Sequence, residues 1–219
     1  MLKLKNPKVR LTMYFVGLFV MTIGIALSVR SDLGVSPVSS IPYTMTCVWG
    51  IEMGIATIFF HAGLVLIQFL ILRKNFRLKS LLQIAVGIVF GMFTTLCNTL
   101  VSFLPSTDNI IIRILMMLLS TVFIALGIFM YLPADIVPLA GEGVMKTISD
   151  VTGIDFSKVK IGFDCSMVAV SAAVCLIAIK SLGSVGIGTV IAAVLVGFFH
   201  GLITKAFGDK RDKLLCATE

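Results

Sequence analysis

Two polar stretches decide the fold: residues 31–54, SDLGVSPVSSIPYTMTCVWGIEMG, and residues 134–158, ADIVPLAGEGVMKTISDVTGIDFSK. Each stretch follows a long apolar run, and each is too long for a simple turn and too polar to cross a bilayer. When the chain is slid against itself by 103 positions, Asp32 meets Asp135 and Thr44 meets Thr147, while Gly50-Ile51 meets Gly153-Ile154. Glycines and an aspartate that recur at one offset indicate an internal repeat.

Six apolar runs surround these stretches, at 11–29, 55–72, 81–104, 110–132, 161–179 and 188–207. Each is close to the roughly 20 residues that a membrane-spanning helix needs. Only 13% of the 219 residues are charged, and the mean hydropathy is +1.08. A soluble domain carries about 25% charged residues. The composition therefore excludes a soluble domain and predicts an all-α integral membrane protein with six transmembrane helices.

The distribution of positive charge predicts the orientation of these helices. With the N-terminus in the cytoplasm, only Arg30, Arg113 and Lys180 of the 18 Lys and Arg residues lie outside. Short cytoplasmic loops carry the excess of Lys and Arg, so both termini are predicted to be cytoplasmic. The first apolar run is too long for a signal peptide and has no cleavage site after it, which favours an uncleaved first helix in a bacterial plasma membrane.

The repeat divides the chain into two halves, residues 1–104 with the outer linker 31–54, and residues 105–219 with the cytoplasmic linker 133–160. Each half contains three crossings. Because three is odd, the second half is predicted to lie inverted relative to the first, as in many secondary transporters. Coincidence among apolar helices is the alternative.

A second match appears at an offset of 110, where Gly87 and Gly91 meet Gly197 and Gly201. Glycines four residues apart let another helix approach closely. We therefore expect the third helix of each half to pack near the axis that relates the halves.

The linkers carry most of the polar chemistry. Ser36 followed by Pro37 is a favoured helix start, so a short helix is predicted to run from there towards Trp49. Such a helix either lies at the membrane surface or re-enters the protein, where protein or water must satisfy its backbone. Ordinary surface loops are the alternative for both linkers.

The chain also resembles a known family. The run Gly24-Ile25, Asp32-Leu33-Gly34 and Ser36-Pro37, with the later Val185-Gly186-Ile187-Gly188-Thr189, is similar to the signature of the YczE/YyaS/YitT family of bacterial multi-pass membrane proteins. The resemblance extends over nearly the whole chain. It implies a small bacterial multi-pass protein, but it supplies no substrate and no binding residues.

Ionisable residues within the apolar spans are costly and indicate function. His61 and Asp164 are equivalent at the 103 offset and are predicted to line one cavity from opposite sides. The alternatives are an interfacial His61 that bonds to a neighbouring carbonyl and an Asp164 that complements the dipole of its helix. Arg30 and Asp32 either pair with each other or contact a solute. Glu142 lies between two glycines, which either allow a close approach of the backbone at this carboxylate or mark an ordinary solvated loop. The candidate substrate-binding residues are Arg30, Asp32, Ser36, Ser39, Ser40, His61, Asp135, Glu142 and Asp164.

Together these features predict a secondary transporter of a small polar solute, coupled to ions or protons or facilitative. The alternatives are a substrate-binding membrane subunit of a larger transporter and a regulatory membrane protein. No P-loop or protease motif is present, so we expect no enzyme, cofactor or metal. The partners expected are the lipid bilayer and the solute, with a homodimer left open. The net charge of +7 is attributed to membrane topology, not to nucleic acid.

Overall fold

The computed structural model describes residues 7–104 and 108–216, which form eight α-helices and no β-strand. The helices are α1 (Pro7–Ser31), α2 (Pro37–Trp49), α3 (Met53–Leu72), α4 (Leu82–Ser102), α5 (Ile110–Tyr131), α6 (Ala140–Thr152), α7 (Phe156–Ile179) and α8 (Ile187–Cys216). Short 3-10 turns at Arg73–Asn75, Leu78–Leu81 and Leu132–Ala134 extend the ends of α3, α4 and α5.

Six of these helices are long and apolar enough to cross a membrane: α1, α3, α4, α5, α7 and α8. The predicted all-α membrane fold and its six spans are therefore confirmed. The largest difference in length concerns α8, which ends at Cys216 and not near residue 207. Its polar end stays helical because Arg211 packs over the ring of Phe129 on α5, with 4.6 Å between the guanidinium and the ring centroid.

The two short helices, α2 and α6, end in the same way, and the helix that follows each of them starts in the same way. Each has 13 residues and ends at a glycine in the left-handed conformation, Gly50 (φ 67°) or Gly153 (φ 71°). A left-handed residue ends a helix, and glycine adopts it without steric cost. Two residues later Glu52 and Asp155 accept hydrogen bonds from the first N–H groups of α3 and α7. The glycines that reveal the repeat in the sequence are thus helix ends.

Helices α1 and α5 form the central contact. Gly17 lies against Gly127 and Tyr131, whereas Gly24 lies against Ser120 and Ile124. Because the later residue of α1 meets the earlier residues of α5, the two helices run antiparallel. An added Cβ at Gly24 would lie 2.7 Å from the carbonyl oxygen of Ser120, so only glycine allows this spacing.

The two halves interlock through their short helices. Helix α2 packs against α7, and α6 packs against α3; likewise α1 packs against α4, and α5 against α8. The alternative that the linkers are surface loops is wrong for residues 37–49 and 140–152, because both segments are helices with buried faces. The opposite orientation of the halves in a membrane stays a prediction.

The glycine pairs of α4 and α8 differ in their surroundings. Gly91 touches Ile58 and Gly54 of α3, and Gly87 touches His61. An added Cβ at Gly197 or Gly201 would meet no atom of the described chain within 4 Å. The expectation that both pairs pack near the axis is therefore corrected. Gly87 and Gly91 pack α4 against α3, whereas Gly197 and Gly201 face outwards. The central contact is made by α1 and α5.

The predicted orientation can be tested at the C-terminus. A phosphatase that is active only outside the cytoplasm should be inactive when fused after Glu219, because the clusters of Lys and Arg hold the C-terminal end inside. A fusion after Leu104, in the outer connection, should be active and serves as the control. If only the C-terminal fusion is active, the predicted orientation is wrong and both termini lie outside.

Candidate functional site

The starts of α2 and α6 meet in the middle of the bundle. A Cβ placed on Gly141 would lie 3.7 Å from Cγ1 of Val38 and 3.9 Å from Cδ1 of Leu64. Val38 and Gly141 are the second residues of their helices and are 103 positions apart, so equivalent points of the repeat touch each other. Leu64 lies half-way along α3. Both short helices therefore begin deep in the bundle.

Neither helix start is capped by its N-cap side chain. Ser36 occupies the predicted N-cap position of α2, but its hydroxyl donates to Oγ of Ser39 at 3.0 Å and makes no cap bond. The N-cap of α6 is Leu139, which has no polar side chain. Instead the carboxylate of Glu142 accepts a hydrogen bond from the Leu139 N–H, as the third helical residue does in a capping box.

A polar group that we call the Glu142 cluster surrounds the start of α6. It consists of Glu142, Tyr131, Gln68 and Gln83. The Tyr131 hydroxyl, on a side chain that is 1% exposed, donates to the partly buried Glu142 carboxylate. The Gln68 amide donates to Oε1 of Gln83 at 2.7 Å and to the carbonyl of Ala140 at 3.3 Å. The cluster therefore ties α6 to α3, α4 and α5.

The environment of Glu142 favours its neutral form. Burial raises the pKa of Glu142 to about 7, against the attraction of Lys160 and the hydrogen bond from Leu139. Lys160 is also paired with Asp164 at 2.9 Å. A carboxyl group with such a pKa can gain or lose a proton near neutral pH.

A second polar group, the Ser40 cluster, lies between α2 and α7. Ser171 donates to Oγ of Ser40 at 2.9 Å, and the hydroxyls of Thr44 and Ser184 are 2.6 Å apart. Cys175 completes this buried group, with its Sγ 3.7 Å from Thr44 Oγ1. Under the offset of 103, Ser40 corresponds to Gly143 and Ser171 to Gln68. The same place in each half thus holds a polar contact between the short helix and the other half.

The Ser40 cluster carries no ionisable carboxylate. Tyr43 and Cys47, on the same helix, are held neutral because burial raises the pKa of Tyr43 to about 12 and also raises the pKa of Cys47. The two clusters are therefore equivalent in position but different in chemistry.

Two arginines form what we call the arginine clamps, one at each end of the α1–α5 contact. Arg113, at the start of α5, donates to the carbonyls of Ser31 and Asp32 and pairs with the Asp32 carboxylate at 2.8 Å. Arg10, near the start of α1, donates to the carbonyls of Ala134 at 3.0 Å and Asp135 at 2.9 Å. Each arginine holds the end of the other helix.

The paired aspartates lie at these clamps in an unusual backbone conformation. Asp32 and Asp135 have φ angles of 51° and 49°, a left-handed conformation that aspartate tolerates better than most residues. The alternative that Asp32 pairs with Arg30 is wrong, because Asp32 pairs with Arg113 and Arg30 donates to the carbonyl of Leu104. An open cavity of about 450 Å³ lies beside the Arg10 clamp and is lined in part by Asp135.

His61 and Asp164 lie in different surroundings. His61 is 4% exposed and packs between α3 and α4 against Gly87 and Phe90, and its Nδ1 has no hydrogen-bond partner among the described residues. Asp164 pairs with Lys160 on its own helix. Both residues therefore have local packing or charge partners, and a shared cavity between them stays a prediction.

Of the candidate residues, the structure places Ser36 and Ser39 at the start of α2 and Glu142 at the start of α6, where the helices meet. Ser40 is the next residue of α2 and contacts Ser171 of α7, and Asp32 and Asp135 lie at the clamps. Five further residues of the clusters and clamps were not among the predicted site residues: Arg10, Arg113, Tyr131, Gln68 and Ser171. One signal was available, because Arg10 and Arg113 are also 103 positions apart.

The family motifs near Gly34 and Gly186 contact each other. The Gly188 N–H donates to the carbonyl of Leu33 at 2.7 Å, and the Val35 N–H donates to the carbonyl of Ser184 at 3.3 Å. Gly34 has φ 103°, and an added Cβ there would lie 2.6 Å from the Gly186 nitrogen. The resemblance therefore rests on residues that hold the outer linker against the connection between α7 and α8.

The crossing helices and the two inserted short helices define a polytopic membrane protein. The chain belongs to a family of unknown function, DUF6198, whose model matches residues 8–205. It is 26% identical over 190 residues to an uncharacterised membrane protein, YczE, of Bacillus subtilis (strain 168), covering 86% of this chain and 82% of that protein. The resemblance to the YczE group is confirmed. No solved structure matches the chain.

Proposed function

We propose that this protein is a secondary transporter that moves a small polar solute across the bacterial plasma membrane by alternating access. The observation that carries the proposal is the meeting of two short helices, at equivalent points Val38 and Gly141, in the middle of the bundle. In transporters built from inverted repeats, the substrate site lies at the repeat interface near interrupted helices. The antiparallel contact of α1 with α5 supports such a repeat.

The positions of the two arginine clamps favour a mechanism with two gates that open alternately. Arg113 closes one end of the α1–α5 contact and Arg10 closes the other, through carbonyls at equivalent positions. Opening one clamp while the other stays closed gives the solute access from one side at a time. Small energy differences suffice, since about 1.4 kcal/mol changes such an equilibrium tenfold.

The chemistry around the helix starts favours a small polar or zwitterionic solute. Ser36 and Ser39 supply hydroxyls, the first turns of α2 and α6 supply N–H groups, and Glu142 supplies a carboxylate. Such groups bind amines, hydroxyls and carboxylates of small molecules through hydrogen bonds. In this proposal the protein catalyses no chemical reaction.

The proposal is tested by finding the solute and weakening its site. Purified protein is screened by thermal shift against a metabolite library, because a specific solute stabilises the folded state. For the compound found, Ser39→Ala should raise the dissociation constant about tenfold, as expected for a lost hydrogen bond of about 1–1.5 kcal/mol.

Ser102→Ala is the matched control, because it also removes one serine hydroxyl from a helix, but this serine is exposed and lies at the end of α4, where its hydroxyl donates to the carbonyl of Thr99. Its affinity should equal that of the wild type. The proposal also requires that vesicles containing the protein take up the compound that binds. A ligand that binds but is not taken up by vesicles, or a copurifying ATPase, would favour a binding subunit of a larger transporter.

A further inference from the structure

Only one of the two equivalent helix starts carries an ionisable group. The third residue of α6 is Glu142, and the residue at the same place in α2 is Ser39, 103 positions earlier. The hydroxyl of Ser39 accepts from Ser36 and does not titrate near neutral pH. If both short helices line the solute path, only α6 can change its charge during the cycle.

The structure surrounds the Glu142 carboxylate with donors and with few charges. Tyr131 of α5 and the Leu139 N–H donate to it, and Lys160 of α7 is the cation that acts on it. Tyr14 of α1 lies close enough for an electrostatic interaction with it. The Tyr14 hydroxyl itself donates to the carbonyl of Val137 at 2.7 Å.

Among the described residues, the sides of α3 and α4 that face the start of α6 contribute amides and no charge. Helices α3 and α4 face it with Gln68 and Gln83, which bond to each other and to the Ala140 carbonyl. The imidazole of α3, His61, packs against Gly87 of α4. Arg10, at the same end of α1, is bound to the carbonyls of Ala134 and Asp135. Lys160 is shared with Asp164, so it only partly compensates the charge of Glu142.

We propose that Glu142 is the proton-binding site of this protein and that the proton is the ion coupled to transport. The proposal rests on the transport function proposed above. When Glu142 is ionised, its carboxylate accepts from Tyr131 and Leu139 and holds the start of α6 against α5. When it takes a proton from water, the neutral carboxyl accepts these bonds more weakly, and the start of α6 is released from α5.

The pKa of Glu142, raised to about 7 by burial, supports proton exchange in the physiological range. Its ordinary value is 4.5, so between about pH 4.5 and 7 the folded state binds more protons than the unfolded chain. The contribution of this group to stability is therefore greatest below that range and falls as the pH rises through it.

The test uses the proton itself as the probe. Infrared difference spectra of the full-length protein in lipid vesicles, recorded between about pH 5 and pH 9, should show a protonated carboxyl band with a midpoint near 7. Glu142→Gln should abolish the band and flatten the fall of the melting temperature with rising pH. Asp150→Asn, an exposed carboxylate on the same helix, is the matched control and should keep both.

A second variant tests whether Glu142 binds a proton or serves only as a structural cap of α6. Tyr131→Phe keeps the ring against Tyr14, at a centroid distance of 5.9 Å in the wild type, but removes the donor to the ionised carboxylate. The midpoint of the band should therefore move to higher pH. A midpoint that does not move, or no titrating band in the wild type, would overturn the proposal.

These results are independent of the transport assay. If the band is absent while vesicles take up the compound found by the screen, transport stands and the proton site is wrong. If the band titrates as expected but no compound moves, the transport function fails and the proposed coupling fails with it.

Discussion

Replacing Gly24 by leucine should prevent this protein from folding stably in a membrane. An added Cβ at Gly24 already lies 2.7 Å from the Ser120 carbonyl oxygen and 2.8 Å from the Ile124 nitrogen. These are backbone atoms of α5, so the helices must separate along the central contact. Overpacking of a tight core costs about 1–3 kcal/mol and more when the backbone must move. We expect a loss of monodisperse protein and, for Gly24→Ala, a lower melting temperature.

Gly201 is the matched control because it also lies inside a long apolar helix, but an added Cβ there would have no neighbour within 4 Å in the part of the chain that the structure describes. Replacing glycine by alanine gains about 1 kcal/mol of helix propensity at either position. Gly201→Ala should therefore be neutral or stabilising. Equal melting temperatures for the Gly24 and Gly201 variants would contradict the close α1–α5 contact.

Removing one arginine clamp should open one side of the protein. Arg113 makes hydrogen bonds to the carbonyls of Ser31 and Asp32 and an ion pair with the Asp32 carboxylate, which Arg113→Gln would weaken or remove. A hydrogen bond to a charged group contributes about 1.5–3 kcal/mol, and Arg113 is partly exposed, so the lower figure applies. We expect about a tenfold shift towards the state that is open at that end.

The measurement uses a cysteine introduced in place of Val38, at the meeting point of the two short helices. Arg113→Gln should speed its labelling by a membrane-impermeant thiol reagent added outside the cell. Arg10→Gln should speed labelling from the cytoplasmic side of inverted vesicles, because the equivalent carbonyls of Ala134 and Asp135 are released there.

The exposed Arg77, in the connection between α3 and α4, is the matched control for these two variants. Arg77→Gln should leave both labelling rates unchanged. If the two clamp variants increase labelling from the same side, the clamps are not opposing gates.

The sequence by itself determined the elements of this protein. Six apolar runs are long enough to span a bilayer, and hydropathy along the chain is a local property that needs no knowledge of packing. The left-handed glycines Gly50 and Gly153 and the acidic residues after them end and start helices through local backbone geometry. The recurrence of Gly50 at Gly153 therefore predicted the internal repeat, and Ser36-Pro37 predicted the start of the first short helix.

Only the tertiary structure decided which helices meet. Lipid is as apolar as leucine, so hydropathy does not say which face of a membrane helix packs, and close contacts depend on shape. Gly87-x-x-x-Gly91 and Gly197-x-x-x-Gly201 look alike in sequence, yet within residues 7–104 and 108–216 only the first pair lies against a neighbouring helix.

The same limit applies to the polar partners. Asp32 is two residues from Arg30 but pairs with Arg113, which is 81 positions away in the chain. Glu142 lies in a glycine-rich linker that a sequence cannot distinguish from a solvated loop. Its hydrogen bond from Tyr131 exists because the start of α6 is inserted beside the end of α5. Partners of this kind are set by how distant segments pack, and therefore only the folded chain shows them.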